Sequence, residues 1–204
     1  MILLLLASAL AAPRSYPLDP SQGLLYVQVY KDRRAPGASL AHDHLVRSLA
    51  FAGTVTWDPQ DPQACRVEVR VPVADLVLDP PELRAQAGLI QDIGEAARAS
   101  SDRNMRGAQQ LDAQHFPEIR FEATACHAQA DGVRVEGDMT LRGVRQAVSL
   151  PMGIAVDGDR LRASGTLRIA LSRFGIVPFS APLGLIRLLD EVDVHIDLVG
   201  LAEN

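Results

Sequence analysis

Asp102 to Cys126 reads DRNMRGAQQLDAQHFPEIRFEATAC and changes character at Pro117. Before the proline the residues favour helix. After it, Ile119, Phe121, Ala123 and Ala125 alternate with Arg120, Glu122 and Thr124. Period-two alternation marks a strand with one buried face, and a proline biases the preceding residue away from helix. The stretch therefore predicts a helix that stops at Phe116-Pro117 and feeds directly into a strand whose inward side chains shrink from Phe121 to Ala125.

The same alternation recurs along the chain. Strands are predicted in LLYVQVY (24–30), LAFAGTVTW (49–57), CRVEVRVPV (65–73), EIRFEATA (118–125), VRVEGDMTL (133–141), AVSLPM (147–152), LRASGTLRIAL (161–171) and EVDVHIDLV (191–199). The second puts Leu49, Phe51, Gly53, Val55 and Trp57 on one face. The last turns Asp193, His195 and Asp197 outward, where strand charges are normally solvated. Asp131-Gly132, Arg142-Gly143 and Asp157-Gly158 supply tight turns. About eight one-sided antiparallel strands imply an all-β fold, stacked as a sandwich or closed as a barrel. Gly53, Gly137 and Gly165 fall mid-strand on the inward face, marking bends or room for something inside.

The exception is 80–110, rich in Ala, Leu, Glu, Gln and Arg. It predicts one helix over Pro81–Ala87 and a longer one ending near Gln110, with Ser100-Ser101-Asp102 as an internal cap. This helical insertion lies between two middle strands. A second irregular segment, Ser172 to Glu191, is apolar yet broken by Gly175, Pro178, Pro182 and Gly184. Such a loop either forms a flap that contacts lipid or a membrane, through 174–189, and flanks a portal together with the helix over 82–110, or tucks back on the body of the fold.

At 204 residues the chain fits one domain with a sizeable core. It is 48% hydrophobic but 4% aromatic, so that core is aliphatic. The formal charge of -5 and the lack of a Lys/Arg cluster argue against nucleic acid as a partner. Residues 2–12, ILLLLASALAA, are too short to span a bilayer and have the length of a secretory h-region. Ala9-Leu10-Ala11 gives a small-x-small cleavage pattern, although no Lys or Arg precedes Ile2. The expectation is a signal peptide over 1–11, a single domain over 12–204, and a periplasmic or secreted protein. Export permits a disulfide between Cys65 and Cys126. Strand parity puts Cys65 with Val67, Val69 and Val71 but Cys126 with Arg120, Glu122 and Thr124, so they pair only if a bulge or fraying turns one of them.

Three blocks, MRGAQQLDAQHFPEIRFEAT, VEGDMTLRGVRQAVSLPM and LSRFG, resemble the YceI-like family in residues and spacing, over roughly 25–199. That resemblance implies a lipocalin-like antiparallel barrel, often exported, whose interior holds an isoprenoid, an isoprenoid quinone or a fatty-acid-like chain. The chain departs from the family in its HDHLVRS segment (His42 to Ser48), its scarcity of aromatics and its apolar late loop.

An apolar chain leaving water gains about 0.8 kcal/mol per buried CH₂, so an aliphatic lining suffices and no reactive group or cofactor is needed. The expected ligand-binding residues are the inward set Phe51, Val55, Val67, Val69, Val71, Phe121, Val135, Met139, Leu150, Leu167, Ile169, Val194 and Ile196, joined by Phe174 on the late loop. His42 and His44 share one side of an extended segment, suited to a ligand headgroup; a metal- or haem-associated accessory role is the alternative for them. A further alternative is a non-catalytic, stress-related interaction module with its interior packed shut. No nucleophile elbow, phosphate-binding loop, dinucleotide fingerprint or H-E-x-x-H is present, so no enzymatic activity is expected. A homodimer is compatible with the sequence.

Overall fold

The structure is a computed structural model describing residues 13–202. The expected signal peptide lies outside the described residues. One antiparallel sheet of 11 strands curls round on itself. Its strands are β1 (Arg14–Pro17), β2 (Leu24–Lys31), β3 (His44–Ser48), β4 (Ala52–Trp57), β5 (Arg66–Pro72), β6 (Leu76–Leu78), β7 (Glu118–Gln129), β8 (Gly132–Leu141), β9 (Val144–Asp157), β10 (Arg160–Ala170) and β11 (Leu188–Leu201). They neighbour one another in the order β1-β4-β5-β7-β8-β9-β10-β11-β2-β3-β6. Leu18, just past β1, is bridged to Gly200 of β11. Beside it the Asp19 N–H donates to the Val199 carbonyl at 2.8 Å. The sheet edge thus returns onto its own middle, giving the all-β barrel expected.

The count exceeds the predicted eight because β1, β3 and β6 carry four, five and three residues. Segments that short show too little alternation to be read as strands. The other limits shift similarly: β4 begins only at Ala52, and Leu49, expected inward, is exposed. β11 starts at Leu188, ahead of the predicted 191.

The insertion holds two helices, α1 (Pro81–Gln86) and α2 (Glu95–Arg106). Ser100, Ser101 and Asp102 lie inside α2, and the cap is Gly94. α2 ends at Gly107, well before Pro117. A compact run of turns bridges the gap, in which Leu111 N–H donates to the Met105 carbonyl at 3.0 Å and Phe116 N–H to that of Asp112 at 2.9 Å. Pro117 therefore starts the strand but does not stop the helix, which ends where the backbone turns extended at Gly107. Arg106 holds the helix end in place, pairing with Asp102 and donating to the carbonyl oxygens of Val73 and Leu76.

Two inward glycines show what their missing side chains allow. A Cβ on Gly53 (φ 153°) would sit 1.9 Å from the Glu68 carbonyl oxygen, so glycine permits close approach of β4 to β5. A Cβ on Gly137 would sit 2.6 Å from the Phe121 ring. The room that glycine leaves is taken by a neighbouring aromatic.

Cys65 and Cys126 form a disulfide, with Cα atoms 6.1 Å apart. The parity obstacle is removed by a bulge in β7: Ala123 pairs with Gly137 and Cys126 with Val135, while only Glu136 faces Thr124 and Ala125. The extra residue reverses the phase, turning Cys126 inward and Ala125, expected inward, onto the outer face beside Glu136. Both cysteines are buried in the main core with Trp57, Val133 and Leu161.

The strand directions fix the two ends of the barrel. β2 runs from Leu24, opposite Asp197, to Lys31, opposite Leu188. The end where β10 begins carries turns 58–65, 130–131 and 158–159, with the disulfide. The opposite end carries 32–43, the helical insertion, the 142–143 turn and 171–187.

Candidate functional site

A cavity of about 550 Å³ occupies the barrel interior, within the usual range of about 300–1,000 Å³ for small-molecule sites. Its wall follows from strand parity. Leu25, Val27 and Val29 of β2 face in beside Val192, Val194 and Ile196 of β11, and Val67, Val69 and Val71 of β5 beside Ile119 and Phe121 of β7. Val27, Val67, Phe121 and Met139 are only partly buried although they face inward, as expected of side chains bordering a hollow.

All the residues expected to bind ligand lie on this wall except Phe51 and Phe174. Phe51 is buried among Val69, Val71, Leu76 and Leu198. Phe174 is wholly enclosed in the core, because Gly175 (φ 71°) turns the chain back and lets Phe174 and Ile176 enter it. The two alternatives left open for the late loop are thus divided along it: its start tucks in, and its continuation projects.

The mouth opens beside the late loop and the helical insertion, the two segments expected to flank a portal. Leu40, Ile93, Ala97, Asn104, Gln110, Pro178, Phe179 and Ile186 line the cavity from the connections at one end, so the opening lies there. On α2 these positions follow helical spacing, with Ala97, Ser101, Asn104 and Met105 on the cavity side. The alternation that identifies strand walls carries no signal for a helix laid across a barrel end.

His42 and His44 both reach the cavity at this mouth, their rings edge-on at 6.4 Å. His44 Nδ1 lies 2.6 Å from Asp79 Oδ2. Asp79 is fully buried and also accepts from the Leu45 N–H and from Arg84, each at 2.9 Å. Burial alone would raise its pKa; the hydrogen bonds of His44, Leu45 and Arg84 prevail and hold its carboxyl below the usual range. Arg84 in turn donates to the carbonyl oxygens of Asp43 and Gln91 at 2.9 and 3.0 Å. A single carboxylate thus ties β3, α1 and the 79–93 segment together, and by accepting from Nδ1 it leaves His44 Nε2 as the free ring nitrogen. The Nδ1 of His42 is buried without a partner. Among the described residues no cluster of three His, Cys, Asp or Glu is arranged to hold a metal ion.

On the outer face, Asp193 is not solvated as expected. Arg168 donates to both its oxygens at 2.7 and 2.8 Å, and the Tyr30 hydroxyl donates at 2.7 Å. The Arg168 hydrogen bonds hold Asp193 at about 2, from an ordinary 3.8. A depressed carboxyl stabilises the fold above its unfolded value and ceases to do so as pH falls through its folded value. Asp193 should therefore contribute stability that is lost between about pH 4 and 2, roughly 1–2 kcal/mol after allowing for solvent around Arg168. Urea midpoints against pH should fall less steeply in that window for Asp193→Asn; equal slopes would refute the assignment.

An antiparallel barrel with one open end and an aliphatic interior has the architecture of the lipocalin-like barrels. Residues 36–200 match the YceI-like domain, and the chain belongs to that family. It is 24% identical to Protein YceI of Escherichia coli O17:K52:H18 over 159 residues, covering 75% of this chain and 71% of that protein. It is 26% identical to Protein YceI of Salmonella arizonae over 109 residues, about half of each chain (53% and 48%). BcnA of Burkholderia cenocepacia has a similar fold, with a TM-score of 0.68 at 20% identity over 89% of this chain and 98% of BcnA. So has a Campylobacter jejuni YceI protein, with a TM-score of 0.56 at 15% identity over 78% and 84%.

Proposed function

We propose that the protein binds a long amphiphilic lipid, an isoprenoid, isoprenoid quinone or fatty-acid-like chain, inside the barrel, and sequesters or transports it without chemical conversion. The observation carrying this is the aliphatic cavity opening at one end. At about 0.8 kcal/mol per buried CH₂, ten enclosed methylenes are worth roughly 8 kcal/mol before ordering costs. His42 and His44 stand where a polar headgroup would emerge. The aliphatic wall gives affinity with little selectivity among apolar chains. The open interior speaks against a module packed shut, and the lack of a third metal donor beside the histidines among the described residues disfavours the metal-associated alternative. The disulfide favours an oxidising compartment, in keeping with a periplasmic or secreted location.

Native mass spectrometry with organic extraction should find a co-purifying lipid in the purified protein. A Val27→Trp/Val67→Trp variant, which places two indoles in the hollow, should lose at least about tenfold of it while keeping its circular dichroism. An empty wild-type protein, or equal lipid in the folded variant, would overturn the proposal.

A further inference from the structure

We propose that the rim of the barrel mouth docks onto the surface of a lipid bilayer. This rests on the cavity function proposed above and names the surface from which the ligand is drawn. Leu40, Ile90, Val177, Leu183 and Leu185 are all exposed. They come from three separate connections at the open end: 32–43, the helical insertion and 171–187. Hydrogen bonds hold these connections in register. Gly37 N–H donates to the Leu185 carbonyl at 2.8 Å, Gln110 Nε2 to that of Val177 at 2.9 Å, and Arg84 to those of Asp43 and Gln91.

The projecting tip is built rather than loose. Ser180 and Arg187 are bridged, and Ala181 N–H donates to the Ile186 carbonyl at 2.8 Å, making a small hairpin closed by Pro182, Leu183 and Gly184. Leu183 occupies the left-handed region (φ 59°) with its side chain wholly in solvent. Glycine or asparagine would adopt that backbone at lower cost. A leucine there has no folded contact to offset the strain, so its value lies in what the side chain meets outside the protein.

A bilayer suits this rim better than a protein partner. The five exposed side chains come from three separate connections, and apolar side chains projecting singly from loops can enter a fluid apolar phase without a matching partner surface. Their apolar surface continues inward: Pro178, Phe179 and Ile186, on the same segment, line the cavity. A lipid could pass from the bilayer to the barrel along that path without crossing water. Arg33 and Arg34 on the 32–43 connection are exposed and suited to lipid phosphates, whereas Asp92 and Glu95 are exposed on the insertion. The rim thus carries both signs, so apolar insertion and not charge is the driving force.

The test is flotation with phosphatidylcholine vesicles, alongside uptake of a fluorescent fatty acid in vesicle-free solution. Wild-type protein should float, and Val177→Asp/Leu183→Asp should reduce the bound fraction by at least about tenfold with unchanged uptake of the free fatty acid. Equal flotation of the two proteins, or none by the wild type, overturns the docking proposal. So does concentration-dependent dimerisation without vesicle binding that these substitutions abolish. Flotation of the wild type with no fatty-acid uptake supports docking and instead overturns the cavity function.

Discussion

Replacing both cysteines (Cys65→Ala/Cys126→Ala) is expected to lower the unfolding free energy by about 4 kcal/mol. The bridge closes a loop spanning a sequence separation of 61 residues, which includes the whole helical insertion and its flanking turns. In the chain-entropy description a loop of that length loses enough freedom in the unfolded state to account for such a value. The two sulfurs also sit in the main core beside Trp57 and Leu161, so alanine leaves unfilled space there. For a chain of this size the unfolding midpoint should drop by roughly 8–16 °C. Calorimetry of the oxidised wild type and the double variant measures it directly. Coincident transitions would show that the bulge at Thr124 and Ala125 serves something other than the bridge.

Asp79→Ala should cost about 3–5 kcal/mol, because it strips a buried guanidinium of its counter-charge. Arg84 is buried as well, and among the described residues no other carboxylate pairs with it: its remaining acceptors are the Asp43 and Gln91 carbonyls. His44 loses its Nδ1 partner in the same substitution. Asp79→Asn keeps one acceptor oxygen, able to serve Leu45 and Arg84, but turns the other position into an NH2 donor; it should cost less than alanine. The Asp79→Ala/Arg84→Met double variant should recover part of the loss, since removing both charges is far cheaper than stranding one. Urea unfolding of the three variants provides the values. Additive losses would show that the pair is not coupled. Since the Asp79 carboxyl lies below its ordinary range, its contribution is present at neutral pH and lost on acidification below the unfolded value.

The strand walls were legible because alternation is a local property. From Val67 to Val71 and from Val192 to Ile196 every second side chain is aliphatic, and each lines the hollow or its core. The errors fall where neighbours, rather than period, decide. Phe51 and Phe174 have the size and character of lining residues, yet each fills a pocket of the core set by the approach of other segments. The bulge left one trace in the sequence, two consecutive small residues, Ala125 and Cys126, where polar and apolar should alternate. Asp79 gave no signal: a carboxylate after a three-residue strand reads as a turn residue until His44 and Arg84 are seen to converge on it.

By itself, then, the sequence determined that strands form, which of their faces are apolar, where the helical insertion interrupts them, and to which family they belong. Those features depend on contacts between near neighbours and on the period of the backbone. Tertiary structure alone decided that Cys65 meets Cys126, that Phe51 and Phe174 fill the core and not the cavity wall, and that five aliphatic tips stand at the opening. These depend on strand register and on closure of the sheet, which bring together residues far apart in the chain, 61 positions for Cys65 and Cys126. No local period encodes such meetings, because their free energy comes from surfaces that exist only once the barrel has closed.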